Sequence, residues 1–122
     1  KDDYHAPFAD QGPCMHEALI TDKIQKEAGV TTLDIAKGLT ERGFHPMTVY
    51  FPIHIPGTML IEPTETESKD SIDRFIKVMK DFAQDVRDGD CEKYHVFPQH
   101  TPRKRLDEVK AARHPVLRWV SK

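Results

Sequence analysis

Seven histidines and two cysteines are the residues of this 122-residue chain best suited to chemistry near neutral pH. Imidazole titrates close to that range and binds borderline metals through a neutral ring nitrogen. Cys14 and His16 stand two apart, which on a strand puts both on one face. A zinc site needs four ligands, or three and a water, and no second pair with suitable spacing follows. No metal site is therefore expected, and both residues read as core or surface groups. His45 lies in Gly43-Phe44-His45-Pro46-Met47-Thr48, between a helix stop and a strand. A ring at such a junction either points at a ligand or caps a carbonyl at the helix end, and the cap is the commoner use.

The run Glu62-Pro63-Thr64-Glu65-Thr66-Glu67 has the chemistry to hold a cation or meet basic groups on a partner. It also has the composition of a helix N-terminus, where carboxylates sit well against the positive end of the macrodipole. Arg103-Lys104-Arg105 and Arg113 make a locally basic stretch without the interleaved aromatics of single-strand binders, so it reads as a solvated face. Trp119, after Val116 and Leu117, reads as an anchor for an apolar groove, such as one on another domain. A glycine-rich phosphate loop, a nucleophile elbow and a paired acid–base constellation are all missing from the sequence. The residues alone assemble no complete active site.

The elements that must carry these groups follow from periodicity. Residues 1–13, with two prolines and a glycine, read as an irregular arm. Residues 14–21 alternate without breakers and predict a strand burying either Cys14, Ala18 and Ile20 or Met15 and Leu19. Residues 22–29 read as a charged connection with room for a helical turn. Thr31 or Thr32 opens a helix with Leu33, Ala36 and Leu39 as its core stripe, Ile35 widening it and Gly43 as its left-handed stop. Gly38 inside it is a mild flaw, about 1 kcal/mol relative to alanine if exposed. Residues 49–51 and 58–62 predict two short strands around a loop bracketed by Pro52 and Pro56. Thr64 or Thr66 caps the longest helix, in which Ile72, Phe75, Ile76, Met79, Phe82, Ala83 and Val86 recur at spacings of three and four until Asp88-Gly89-Asp90. Residues 91–104 read as extended tail, and residues 106–113 as a short helix stopped by His114-Pro115.

The fold class expected is α/β, an α+β two-layer sandwich with a short, mainly antiparallel sheet covered by helices. The chain is long enough for one domain: an arm over 1–13, an α/β core over 14–87, and an extended tail with a short helix over 88–122. A net charge of −2 with both signs scattered argues against a general nucleic-acid partner. The longest strongly apolar stretch, residues 47–61, is broken by two prolines and too short to span a bilayer. Two distant cysteines in a charged chain suit the reducing cytoplasm. The start, Lys1-Asp2-Asp3-Tyr4, carries no methionine or targeting signal and reads as a cut inside a longer protein.

Several segments resemble the C-terminal region of the glycine cleavage system P-protein family, glycine dehydrogenase (decarboxylating). Met59-Leu60-Ile61-Glu62-Pro63-Thr64-Glu65-Thr66-Glu67-Ser68 resembles that family's acidic EPTE signature, and residues 43–48 its GFHPPT stretch. Cys14-Met15-His16-Glu17 is similar to its CMHE strand, and Asp34-Ile35-Ala36-Lys37 to its D-I/V-AK helix. Ser71-Ile72-Asp73-Arg74-Phe75 is compatible with its long helix. Residues 105–113, followed by Pro115-Val116-Leu117-Arg118-Trp119, resemble the end of subunit 2 in the split, two-gene form. The likeness runs from Cys14 to Trp119. Departures are Gly38 for a usual arginine, Ala18 for phenylalanine and Met47 for the second proline of GFHPPT, and they bear on pocket detail.

The resemblance implies the small C-terminal domain of a fold-type-I pyridoxal-phosphate enzyme, packed beside a large domain that holds the cofactor. The family decarboxylates glycine and passes the aminomethyl group to the lipoyl arm of the H-protein, so this resemblance implies an enzyme whose isolated fragment is inactive. It implies three partners: the missing large domain, subunit 1 and the H-protein. The Schiff-base lysine is expected upstream, so no catalytic residue is assigned here and no cofactor-binding residue is named. His45 and Thr48 are the candidates for facing the substrate cleft, with Glu62 and Thr64 structural. Two rivals remain: the small domain of another fold-type-I enzyme such as an aminotransferase, and a self-standing ligand-binding α/β domain. An aminotransferase small domain supplies an arginine for the substrate carboxylate, and the predicted strands contain none. A decarboxylase gains nothing from over-stabilising the carboxylate it expels.

Overall fold

In the computed structural model, which describes residues 2–119 and 121, Ala18–Thr21 (β1), Thr48–Val49 (β2) and Thr58–Ile61 (β3) form one antiparallel sheet in the order β1-β3-β2. The register sets Ile20 opposite Met59 and Met59 opposite Val49, so these three apolar side chains share a face. Onto that face pack two helices, Thr32–Glu41 (α2) and Lys69–Arg87 (α3), through Ile35, Leu39, Met79, Phe82 and Ala83. Leu19, Leu60 and Thr48 line up on the other face, with the two leucines half-buried and Thr48 exposed. The expected two-layer arrangement, a small antiparallel sheet covered by helices, is what the chain adopts.

The first strand is shorter than its sequence pattern suggested. Residues 14–16 lie outside it and are exposed, with Met15 95 % accessible, so neither Cys14 nor Met15 enters the core. The partner strand sets this limit, because Ile61 opposite Ala18 is the last residue of β3. The connection after β1 contains a five-residue helix, Lys23–Glu27 (α1), whose Gln25 is buried and donates to the carbonyl of Asp3 at 2.6 Å.

The second helix starts and stops as its sequence dictates. Thr31 is the N-cap: its hydroxyl accepts from the Asp34 N–H at 3.3 Å, while Asp34 accepts from the Thr31 N–H at 2.9 Å. At the far end Gly43 takes φ 80°, a conformation that side chains resist. Leu33 is only half-buried, whereas Ile35, Ala36 and Leu39 are buried. Gly38 is no exposed flaw. A β-carbon there would stand 3.1 Å from one Phe82 ring carbon and 3.4 Å from Tyr94, so the glycine makes room for two rings.

Helix α3 begins later than Thr64 or Thr66. Those two hydroxyls bond each other at 2.7 Å, and Glu67 N–H closes a turn onto Thr64 at 3.0 Å, so this stretch makes its own bend first. Ser68 is the cap, accepting from Ser71 N–H at 3.1 Å. Ile76, expected in the core stripe, is 48 % exposed, while Val78 packs inward instead.

Residues 88–105 differ most from an extended tail. Glu92–Val96 (α4) is helical and inserts Tyr94, fully buried, between Phe82 at 5.3 Å and Phe97 at 5.6 Å, both edge-on. Five residues are too few to show a helical period, which is why no stripe announced it. The N-terminal arm also contributes: buried Tyr4 donates to the Met79 carbonyl at 2.8 Å, and His5 bridges to Thr21. A last helix, Glu108–Arg113 (α5), is capped by Asp107 and exposed throughout.

Candidate functional site

Past Gly43 the Phe44 ring turns inward, edge-on to Phe75 at 5.7 Å, with the Arg74 guanidinium 5.5 Å above it. Anchoring Phe44 throws the next side chain outward. His45 is exposed and has no hydrogen-bond partner among the described residues, so the carbonyl-capping role is not taken. Thr48 is likewise exposed and without a side-chain bond among the described residues, on the sheet face that the large helices leave open. The structure thus places both sequence-derived candidates on the surface beside β2, unconsumed by the fold.

The loop after β2 continues that surface. Tyr50 was expected mid-strand, yet its φ is 57°, in the left-handed region. Its N–H donates to the Thr58 carbonyl at 2.9 Å, and its hydroxyl accepts from the Leu33 N–H at 3.2 Å. Those two bonds hold the turn, and Phe51 and Ile53 beyond it are exposed, at 57 % and 88 %. Nothing in the local sequence signals a left-handed tyrosine, so the residue that shapes this edge was not legible.

At the start of α2 the free N–H groups are already used. The buried carboxylate of Asp22 accepts from Thr32 N–H at 2.9 Å, the Tyr50 hydroxyl takes Leu33 N–H, and Thr31 takes that of Asp34. Thr32 in turn donates its hydroxyl to the Gly57 carbonyl at 2.7 Å. A phosphate has no open donors here. The start of α3 is flanked by Glu62, Glu65 and Glu67, which repel an anion. The least exposed lysine side chain with an ion pair, Lys93, is held by Asp85 at 2.8 Å and Asp90 at 2.5 Å. Burial pulls its pKa down, but the two carboxylates outweigh this and raise it. A lysine that must lose its proton to attack an aldehyde needs the opposite. The described residues do not fit a pyridoxal phosphate site.

The ionic groups with shifted pKa values serve the fold. Burial pushes the Asp34 carboxyl up, but the bonds from Thr31 and from Arg105, at 2.6 Å, together hold it below the usual carboxylate range. Arg105 also donates to the carbonyls of Tyr94 at 2.7 Å and Phe97 at 2.9 Å, pinning the chain after α4 onto the start of α2. Asp85 is desolvated, yet Lys93 and the Tyr94 hydroxyl keep its carboxyl low. Glu41 is lowered too, despite desolvation, by the Gln99 and His100 N–H groups at 2.6 and 3.1 Å and by the His100 ring.

Two shallow, open clefts lie on α1, one of about 310 Å³ against His5, Ala6 and Asp10 of the arm and one of about 400 Å³ against His5 and the loop at Ile55 and Pro56, and neither takes in His45 or Thr48. Among the described residues, no three His, Cys, Asp or Glu side chains gather as a metal site, and no helix is long and apolar enough to cross a membrane. Cys14 and Cys91 are free thiols.

Residues 1–102 match a family model described as glycine dehydrogenase, C-terminal domain. The chain is 53 % identical over 117 residues to the probable glycine dehydrogenase (decarboxylating) subunit 2 of Caulobacter vibrioides, covering 96 % of this chain and 22 % of that protein. It is 47 % identical over 119 residues to the protein of the same description from Shouchella clausii, covering 98 % of this chain and 24 % of the relative. For that of Kosmotoga olearia the identity is 44 % over 117 residues, 95 % of this chain and 24 % of the relative. The chain therefore spans less than a quarter of the length of these curated relatives.

Proposed function

The chain belongs to the glycine dehydrogenase C-terminal domain family, and from that premise we propose that it is the small domain of a pyridoxal-phosphate-dependent glycine decarboxylase. The family match over residues 1–102 carries this reading. In it, the enzyme decarboxylates glycine and delivers the aminomethyl group to the lipoyl arm of an H-protein, in the cytoplasm. The large domain, in the remaining length, holds the cofactor and its lysine, and a subunit 1 completes the assembly.

This division of labour suits what the residues do. The buried carboxylates are spent on the fold, and the lysine best enclosed by partners is kept protonated. Beside β2 the chain instead offers a surface with unspent groups: His45, Thr48, Phe51 and Ile53. In the whole enzyme the apolar members pack against the large domain, while His45 and Thr48 face the cleft between the two, orienting substrate or shaping the entrance for the lipoyl arm. The strands carry no arginine to grip a substrate carboxylate, which favours expulsion of that group over its retention.

The test pairs two measurements. The chain alone, titrated with pyridoxal phosphate, shows no saturable aldimine absorbance. The full-length protein with subunit 1 exchanges labelled bicarbonate into glycine only when the cofactor and H-protein are present. A borohydride-fixed band mapping to one lysine of this chain overturns the division of labour; a full-length pair without exchange overturns the activity.

A further inference from the structure

Residues 44–50 run back along α2, from its end to its start, and both ends of the run are fastened to that helix. At the first, the Phe44 N–H donates to the Leu39 carbonyl at 2.9 Å, and its ring stands edge-on to Phe75. At the last, the Tyr50 hydroxyl accepts from the Leu33 N–H at 3.2 Å, in the first turn of α2. Between them Met47 and Val49 pack toward the core, while His45 and Thr48 are exposed. The two candidates for the substrate cleft thus sit on a span with an aromatic anchor at each end.

The two anchors are not alike. Phe44 is turned inward and belongs to the packing between α2 and α3. Tyr50 is 46 % exposed and holds φ 57°, a left-handed conformation that a glycine or asparagine adopts at less cost. Its contacts do little to offset that strain. Nearly half of the side chain is still in water, and the Leu33 N–H stands at an exposed helix start, where water would satisfy it about as well. Strained residues of this kind persist where the placement of neighbouring groups matters more than stability. What the bond to Leu33 does supply is direction. Strand β2 has only two paired positions, Thr48 with Leu60 and Val49 with Met59, and so short an edge strand frays readily. The Tyr50 N–H continues the pairing by donating to the Thr58 carbonyl at 2.9 Å, and its hydroxyl ties the same residue to α2. Thr48 therefore lies on a strand end that is gripped from both the sheet and the helix.

We propose that Tyr50 is a positioning residue of the enzyme, whose hydroxyl, fastened to the start of α2, fixes the place of Thr48 at the substrate cleft. This rests on the reading of the chain as the small domain of a glycine decarboxylase with Thr48 facing that cleft. Tyr50 touches no reacting atom in this account and acts through Thr48 alone. A small displacement of a group that orients a substrate is enough to slow a reaction by tenfold or more, by order of magnitude.

The experiment uses the full-length protein with its partner subunit, cofactor and H-protein, and reads exchange of labelled bicarbonate into glycine together with melting temperature. Tyr50→Phe keeps the ring and the backbone strain and removes only the oxygen that Leu33 meets. It is compared with Thr48→Val and with the double variant. Expected for Tyr50→Phe are an unchanged melting temperature and a kcat/KM lowered about tenfold. The double variant should lose no more than the larger of the two single losses, because both remove one and the same function. A residue that merely supports the fold would not produce that coupling. The proposal is overturned by unchanged kinetics in Tyr50→Phe, by a loss that comes with lowered melting, or by a loss while Thr48→Val keeps full activity. Losses that multiply in the double variant overturn it as well, since the two residues then act independently. A wild-type pair without exchange overturns the proposed activity and this role with it, whereas an active wild type with an unaffected Tyr50→Phe overturns this role alone.

Discussion

The two faces of the sheet use the same strands for opposite ends. On one, Ile20, Met59 and Val49 meet α2 and α3, and Phe82 and Tyr94 close the layer with edge-on rings. On the other, Leu19 and Leu60 are half-covered, Thr48 is exposed, and the edge runs on through exposed Tyr50, Phe51 and Ile53. Because side chains alternate along a strand, each residue of β2 commits to one side or the other. Val49 belongs to stability and Thr48 is released from it. Substitutions on the two faces therefore separate what the fold depends on from what it leaves open, and the sharpest contrast comes from the covered one.

Tyr94→Ala should cost the most. It removes a fully buried ring packed against Phe82 and Phe97 and leaves Asp85 without its hydroxyl donor. We expect a loss of about 3–5 kcal/mol in urea unfolding, typical of a large aromatic cut back in a core. Tyr94→Phe should lose only about 1 kcal/mol, since Lys93 still pairs with Asp85. If alanine costs no more than phenylalanine, residues 88–105 are peripheral and the covered face ends at α3.

Gly57→Ala should come next. The loop glycine has φ 67°, and a β-carbon there would stand 1.8 Å from the Asp22 carboxylate oxygen. Either the backbone shifts or Asp22 swings away from the Thr32 N–H it satisfies. A loss of about 2–3 kcal/mol is expected, combining left-handed strain with a broken buried bond. Because this junction also orients Tyr50 through Leu33, the same variant should disturb the open edge, visible as shifted amide resonances at Phe51 and Ile53.

Acid probes the clamp. Asp34 and Asp85 titrate below the ordinary carboxylate range in the folded chain, so the folded state favours their ionised forms. Their contribution is whole above the unfolded pKa of about 4 and is lost as pH falls through the lowered folded values. Stability should thus hold from neutrality to about pH 5 and then decline. Asp34→Asn, which loses the Arg105 ion pair, should cost about 1–3 kcal/mol at pH 7 and flatten that decline. An unchanged acid profile in the variant would place the pH dependence elsewhere.

How much of this was legible divides along the same line. The Thr31 cap, the Gly43 stop and the spacing of Met79, Phe82 and Ala83 were readable because caps and helical periods are local signals. Tyr4 and Arg105 reach the core through bonds across 75 and 71 residues, and Tyr94 packs against Gly38 on α2, so no window of sequence holds both partners. Gly38 illustrates the same limit: locally a helix defect, it is spatially the floor under two rings. His45 and Thr48 were singled out by an irregular junction and a family resemblance; burial and bonding then showed that the fold does not use them.

The smallest effect on folding should therefore come from His45→Ala and Thr48→Val, each within about 0.5 kcal/mol of wild type, as for exposed side chains with no bond among the described residues. Under the proposed function their consequence is read on the whole enzyme. With the large domain and partner subunit present, His45→Ala should lower glycine-dependent bicarbonate exchange by about tenfold, as expected when a group that positions a substrate is removed. Loss in kcat with KM unchanged would place the imidazole at the reacting centre, and a rise in KM alone would place it at the entrance. Full activity in both variants, with folding equally untouched, would leave the open face without a catalytic role and reduce it to a surface for the large domain. A large loss of stability from either would refute the comparison itself, since the open face would then be carrying the fold.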